Sequence, residues 1–278
     1  MSNHSLRFAP GDSPAQNITL VGASSSRYEE DWLSIPHSHD YTELFYVREG
    51  KGRLLVNNSE YSIARDDLII INPHLCHTEI STGSIPLSYY TVGVDGICFS
   101  FSGQQDFRIF NCRGKQTDLL FYFNTIYQEL DRQAEGYAMI CRNMLEILTI
   151  QLRRITDSAF EVIPARHPTR ECAMIRRYLD SHYSEPITLD TLSELSHLNK
   201  YYLSHEFSKY YGISPISYLN RRRLEMCMEL LENTDYGIAE IAGQTGFSSQ
   251  SYLSQSFRRF CGITAAQYRR QAKKRKQT

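Results

Sequence analysis

The stretch Asn233-Thr234-Asp235-Tyr236-Gly237-Ile238-Ala239-Glu240-Ile241-Ala242-Gly243-Gln244-Thr245-Gly246-Phe247-Ser248-Ser249-Gln250-Ser251-Tyr252-Leu253-Ser254-Gln255-Ser256-Phe257-Arg258-Arg259-Phe260 decides the architecture of this chain. Ile238, Ile241 and Ala242 fall on one side of a helix that stops at Gly246, where a left-handed backbone is easiest. Phe247 plugs the core, Ser248 or Ser249 caps the next helix, and Leu253 and Phe257 bury its inner face. Gln250, Ser251, Ser254, Gln255 and Arg258 are left outward. A short helix, a tight turn and a second helix with a polar outer face make a helix-turn-helix. Its outward side chains suit DNA: Gln and Ser read base edges, and Arg meets guanine or phosphate.

The pattern occurs twice. Tyr202-Leu203-Ser204, Phe207, Lys209, Gly212-Ile213-Ser214 and Tyr218 recur fifty residues later as Tyr252-Leu253-Ser254, Phe257, Arg259, Gly262-Ile263-Thr264 and Tyr268. Leu192 matches Ile241 at an offset of 49, so the second copy has one extra residue in its turn. In the first copy Thr188 caps, Leu189, Leu192 and Leu195 pack, and Asn199 caps a helix whose outward residues are Lys200, Tyr201, Ser204, His205 and Lys209. Between the copies, Ser214-Pro215 is a cap followed by proline at the first helical position. A helix of about 17 residues then runs to Asn233, roughly 25 Å at 1.5 Å per residue. With its flanking turns it sets two recognition helices about one DNA turn apart, for adjacent major grooves.

Bulk properties agree with this reading. A chain of 278 residues has room for two domains, and 41% hydrophobic with 22% charged residues excludes wholesale disorder. The net charge of −1 hides an asymmetry. Residues 1–167 hold 14 Lys+Arg against 20 Asp+Glu, and residues 168–278 hold 16 against 11, which is an acidic module joined to one that meets a polyanion. The seven cysteines (76, 98, 112, 141, 172, 227 and 261) are scattered and odd in number, indicating neither a disulfide framework nor a zinc finger. No signal-peptide core and no apolar run of about 18 residues is present, so a cytoplasmic protein without membrane partners is expected.

Three regions follow. From about Ile18 to Ser102 short strands alternate with Gly, Asn and Pro turns, as in a small barrel or sandwich. Helical spacing appears at Leu119–Gln133 and Tyr137–Arg154, separated by Gly136. The fold class is therefore α+β with two domains. Residues 1–156 form a β-barrel with a helical pair, 157–169 with Pro164 and Pro168 form a linker, and 170–278 form an all-α double helix-turn-helix domain.

The segment Ile187–Arg269 resembles the DNA-binding domain of the AraC/XylS family of bacterial transcription activators, with the second unit a near-complete match. The resemblance places base-facing positions at Tyr201, Ser204, His205, Gln250, Ser251, Ser254 and Gln255; Lys209 and Arg258 complete the expected DNA-binding set. It implies operator DNA and RNA polymerase as partners. Ser193 and His197 depart from the small residue and glycine usual in the first unit, and Ala265 from a usual proline.

His37-Ser38-His39-Asp40-Tyr41-Thr42-Glu43, six residues and Gly50 resemble the first signature of the cupin barrel, and Pro73-His74-Leu75-Cys76-His77 a shortened second one. In cupin enzymes the corresponding His, His, Glu and His hold a metal. Residues 37, 39, 41 and 43 share parity, so on one strand they point the same way. Three readings stay open: a metal site at His37, His39, Glu43 and His77, a small-molecule effector site, or satisfied barrel residues. The effector site would comprise Trp32, His37, His39, Tyr41, Glu43, Tyr46 and His77, with Tyr61 adding a ring face. His74 reads as a loop residue. The leading expectation is a sugar as effector and no cofactor. The helical pair packs on the barrel, and its apolar stripes, Leu145 and Leu148 among them, suit a homodimer interface. The leading function is a sugar-responsive transcription activator; the alternative is a metal-dependent cupin enzyme fused to a DNA-binding module.

Overall fold

In a computed structural model, the structure describes residues 18–28, 34–56, 59–102, 106–115, 118–157, 159–165 and 168–275. The N-terminal domain consists of β1 (Thr19–Arg27), β2 (Thr42–Glu49), β3 (Lys51–Val56), β4 (Ser59–Ala64), β5 (Asp67–Ile71), β6 (His77–Ser81), β7 (Ser88–Asp95), β8 (Ile97–Phe101) and β9 (Phe107–Asn111), followed by α1 (Leu119–Arg132), α2 (Tyr137–Ile155) and β10 (Phe160–Pro164). A five-stranded sheet in the order β1-β7-β2-β5-β9 faces a three-stranded sheet in the order β4-β3-β6. The expected barrel or sandwich is thus built from two facing sheets.

The larger sheet is buried on both faces, which explains the uninterrupted apolar run Leu68-Ile69-Ile70-Ile71, all fully buried. Phe45, Val47, Ile69, Ile71 and Tyr89 point between the sheets and meet Leu54, Val56 and Ile63. Leu44, Leu68, Ile70, Tyr90, Val92 and Val94 point the other way, against Phe123 and Ile126 of α1 and Leu145, Leu148 and Leu152 of α2. Leu145 and Leu148 therefore cannot form a dimer interface: they are 1% and 0% exposed, inside the domain's own core. The stretch read as a linker also differs. Phe160–Pro164 pairs antiparallel with β8, and Phe160 joins the core, so the first domain extends to Pro164. Pro164 is tolerated there because it ends an edge strand.

The C-terminal domain runs through α3 (Arg170–His182), α4 (Leu189–Ser196), α5 (Lys200–Tyr211), α6 (Pro215–Asn233), α7 (Ile238–Gln244), α8 (Gln250–Cys261) and α9 (Ala265–Arg275). Thr169, Thr188, Asn199, Ser214 and Ser249 cap their helices with side-chain oxygens, as the sequence requires. Two cores sit side by side. Ile175, Leu179, Leu192, Leu203, Phe207 and Leu219 form one; Leu224, Leu231, Ile241, Phe247, Leu253, Phe257 and Tyr268 form the other. The central helix α6 feeds both, and its 19 residues span about 28 Å.

The loop between α3 and α4 locks the two units together. Arg223 of α6 is buried; its Nε donates to the Tyr183 carbonyl and its Nη2 to the Glu185 carbonyl, both at 2.7 Å. Gly246, at φ +79°, lies so close that a Cβ would be 2.7 Å from the Ser184 carbonyl oxygen. The first unit's departures from the family pattern are accommodated without losing the turn. His197 takes the left-handed cap of α4 at φ +55°, and Ser193 Oγ donates to the Leu198 carbonyl at 2.6 Å.

These two left-handed positions make opposite predictions. Gly246→Ala adds a clash to a left-handed penalty of roughly 1–2 kcal/mol, so chemical denaturation should show a loss of at least that size. His197→Gly relieves the penalty at an exposed turn and should gain up to about 1 kcal/mol. Equal effects from the two substitutions would contradict this account of the turns.

Candidate functional site

Two surfaces carry chemistry. The first is the outward face of the recognition helices. On α8, Gln250, Ser251, Ser254, Gln255 and Arg258 are all exposed, while Leu253 and Phe257 are buried beneath them. On α5, Tyr201 is 86% exposed, His205 is exposed and Ser204 is half-buried. His205 Nδ1 lies 3.4 Å from Glu206 Oε1, and Lys209 Nζ lies 3.6 Å from the same oxygen, so a carboxylate tempers the positive charge of this helix. Lys209 also borders a crevice between the domains, together with Tyr210. The buried stripe at every third or fourth residue fixes the roll of each helix, and that roll presents these side chains to solvent.

The second surface is an imidazole cluster at one end of the facing sheets. His37, His39 and His77 bring one nitrogen each within 4.8 Å of one another. They do not share one continuous strand, because β2 begins only at Thr42. Instead His37 forms an isolated bridge to His77, with main-chain bonds of 2.9 Å in both directions. Glu43, on β2, reaches in from below: its Oε2 lies 3.2 Å from His77 Nε2 and 3.4 Å from His39 Nε2. Each ring turns Nδ1 to a main-chain carbonyl two residues away, His37 to Ile35 at 3.2 Å, His39 to Tyr41 at 3.1 Å and His77 to Leu75 at 2.9 Å. Where Nδ1 carries the ring proton, as these contacts allow at His37 and His39, Nε2 keeps its lone pair for a ligand; at His77, Nε2 faces Glu43 Oε2 and gives up a proton before it can bind a cation. The buried Nε2 of His39 has Glu43 beside it at 3.4 Å but without hydrogen-bond geometry.

Electrostatics set the rings apart. Burial, and then the neighbouring His77, push the His37 imidazole down to about 4, so it stays neutral near pH 7. Burial alone would raise the Glu43 carboxyl, yet the approach of His39 and His77 holds it well below the usual carboxylate range. Burial works against a charged His77, and its contact with Glu43 overcomes that and raises it.

The remaining expected residues divide. Tyr41 belongs to the cluster, stacked on His39 with ring centroids 4.4 Å apart, and Gly93 leaves room for it. Tyr46 does not belong: it lies on the opposite face of β2, stacked on Phe123 at 5.4 Å, with its hydroxyl donating to Asp66 Oδ1 at 3.0 Å. Its even number puts it out of phase with Glu43. Tyr61, on β4, stands against Phe107 at 5.0 Å, away from the imidazoles. Trp32 lies outside the described residues.

Sequence reasoning missed the residues that join the domains. Asp40 accepts from Arg176 Nη1 of α3 at 2.7 Å, and the Ser38 carbonyl accepts from Arg221 Nη2 of α6 at 3.2 Å. His74, at φ +70°, lays its ring against Tyr210 and Tyr211 of α5, with centroids 4.8 and 5.2 Å away. Partners 136 and 183 residues apart leave no local signal; only the positive φ at His74 has a sequence correlate, in its place after Pro73.

A ligand-accepting β domain joined to paired, solvent-facing recognition helices defines a DNA-binding transcription regulator. The comparisons agree. Residues 23–120 match the AraC-like ligand binding domain, and residues 192–271 match a helix-turn-helix domain. An uncharacterized HTH-type transcriptional regulator, YbfI of Bacillus subtilis, is 30% identical over 78% of this chain and 80% of its own length. A similarly named regulator, YdiP of Escherichia coli, is 28% identical over 94% of this chain and 91% of its own. Among solved structures, ToxT from Vibrio cholerae shares the fold with a TM-score of 0.58 at 14% identity, over 93% of this chain and 99% of that one. The chain belongs to the AraC family of transcription regulators. Its relatives are named as transcription regulators, and nothing in these likenesses supports the metalloenzyme alternative. Among the described residues no helix is long and apolar enough to cross a membrane.

Proposed function

We propose that the chain reads an operator with α5 and α8 as a homodimer, and that a divalent transition-metal ion at His37, His39, His77 and Glu43 is its effector. One observation carries the effector reading: three imidazoles, each with Nδ1 near a main-chain carbonyl, bring one ring nitrogen apiece within 4.8 Å of one another beside the Glu43 carboxylate. Nitrogen ligands at about 2.0–2.1 Å from one ion stand roughly 3–4 Å apart, and the donors here, all within 4.8 Å of one another, would have to close in to reach that spacing. Imidazole suits Zn, Ni, Cu or Fe, and the ion would complete the bonding of His39 Nε2. A sugar, the effector first expected, would have to part the imidazoles to enter among them. Activation through RNA polymerase is the expectation drawn from the family resemblance.

Dimerisation is placed on the face of α2 that the core leaves free. Met139, Ile140, Ile147 and Ile150 are 70, 37, 40 and 49% exposed and recur at helical spacing along one stripe. An isologous pairing of two such stripes would bury them.

Three measurements test these assignments. Replacing Gln250 or Gln255 by Ala should weaken operator binding by about 1–3 kcal/mol and leave binding to random duplex nearly unchanged. His205→Ala should relax base preference less; the reverse ranking would move discrimination to the first unit. Cobalt(II) titrated into the metal-free chain should produce visible ligand-field bands saturating at a single equivalent, and His77→Ala should abolish them. A colourless titration with the wild-type chain would sink the ion. Ile147→Glu should give folded monomers in light scattering, because a charge in an apolar interface goes unpaired. A dimer that survives this substitution would put the interface elsewhere.

A further inference from the structure

The two loops that carry the imidazoles are the same two loops that hold the DNA-binding domain. Along 37–40 the contacts alternate. His37 and His39 enter the cluster, while the Ser38 carbonyl takes Arg221 and the Asp40 carboxylate takes Arg176. Along 73–77, His77 enters the cluster and His74 reaches the other way. The His74 carbonyl oxygen lies 3.1 Å from the point where a Cβ on Gly212 would stand. Gly212 is the left-handed cap of α5, so the barrel touches the first recognition helix at its end. The loops are also tied to each other, since the His74 N–H donates to the His39 carbonyl at 2.7 Å. Cavities of about 330 and 390 Å³ lie against this contact and share Asp40 and His74 in their walls, while Ile35 touches the core of the second unit separately.

We propose that Asp40 and His74 form a latch that carries the state of the imidazole cluster to the first helix-turn-helix unit. An ion that draws the Nε2 atoms together moves His39 relative to His77. Asp40 directly follows His39, and His74 is bonded to its carbonyl, so both contacts with the DNA-binding domain shift with that ring. The latch orients and does not occlude: with it closed, Tyr201, His205, Gln250 and Gln255 remain exposed. Ion binding therefore steadies α5 against α8 without covering the DNA face. This transmission rests on the ion reading above; the latch contact itself does not.

Hydrogen exchange on the full chain separates the two. The variant is D40A combined with His74→Gly, since glycine keeps the positive φ and removes only the ring. Neither residue is an ion ligand or a base-reading position. Without metal, exchange over 205–214 should quicken about three- to tenfold in the variant, the scale of losing one ion pair and one ring contact, with 250–261 unmoved. Wild-type exchange over 205–214 in the variant would overturn the latch. Zinc ion should slow both 36–43 and 205–214 in the wild type, and 36–43 alone in the variant. Slowing of 36–43 alone in the wild type would overturn the transmission. If zinc slows neither segment in the wild type, the ion reading and the transmission built on it fall, and the metal-free comparison decides the latch.

Discussion

One helix shared by two hydrophobic cores sets the geometry of everything that meets DNA. Leu219 of α6 lies in the first core, and Leu224, Cys227 and Leu231 lie in the second. Because packed interiors resist voids and overpacking alike, neither unit can roll about α6 without opening its own core. The spacing of the two recognition helices is thus a property of side-chain packing, with no linker in which it could slacken. The polar residues on α5 and α8 contribute little to holding the domain together, and so are free to be chosen for what they touch outside.

The N-terminal domain solves a different problem. Its larger sheet is covered on one face by the smaller sheet and on the other by α1 and α2, so along β2 alternate residues serve different masters. Glu43 looks inward and ends among imidazoles; Tyr46 looks outward and ends under a helix. The cluster itself sits where strands give way to loops, which lets the main chain bend far enough to offer carbonyls to three Nδ1 atoms. Rigid sheet below and irregular chain above is a common arrangement for sites that must be both positioned and adjustable.

How much of this was readable from residue order depended on range. The second unit was plain because every signal in it is local: the glycine that turns, the serine that caps, the aromatic that plugs. Domain count and the convergence of His37, His39, Glu43 and His77 came from short motifs as well. β10 was missed because Pro164 and Pro168 read as breakers, although Phe160 and Val162 alternate as a strand face should. The stripe holding Leu145 and Leu148 was recognised as apolar, but periodicity says only that a face is buried and never by what. The ion pair between Asp40 and Arg176 joins a loop to a helix in another domain, and nothing near either residue announces the other.

The Tyr183–Glu185 loop bears on how such a domain can change over time. Its carbonyls satisfy a guanidinium from α6, and its Ser184 carbonyl presses on the turn of the second unit. A buried Arg without acceptors is expensive, and a bulkier residue at the turn has nowhere to go. Recombination that exchanged the second unit alone between relatives would leave this loop facing the wrong partner. The tandem repeat, though it looks like two interchangeable parts, is built as one body, and a change of sequence preference that leaves this loop intact is one confined to the outer faces of α5 and α8.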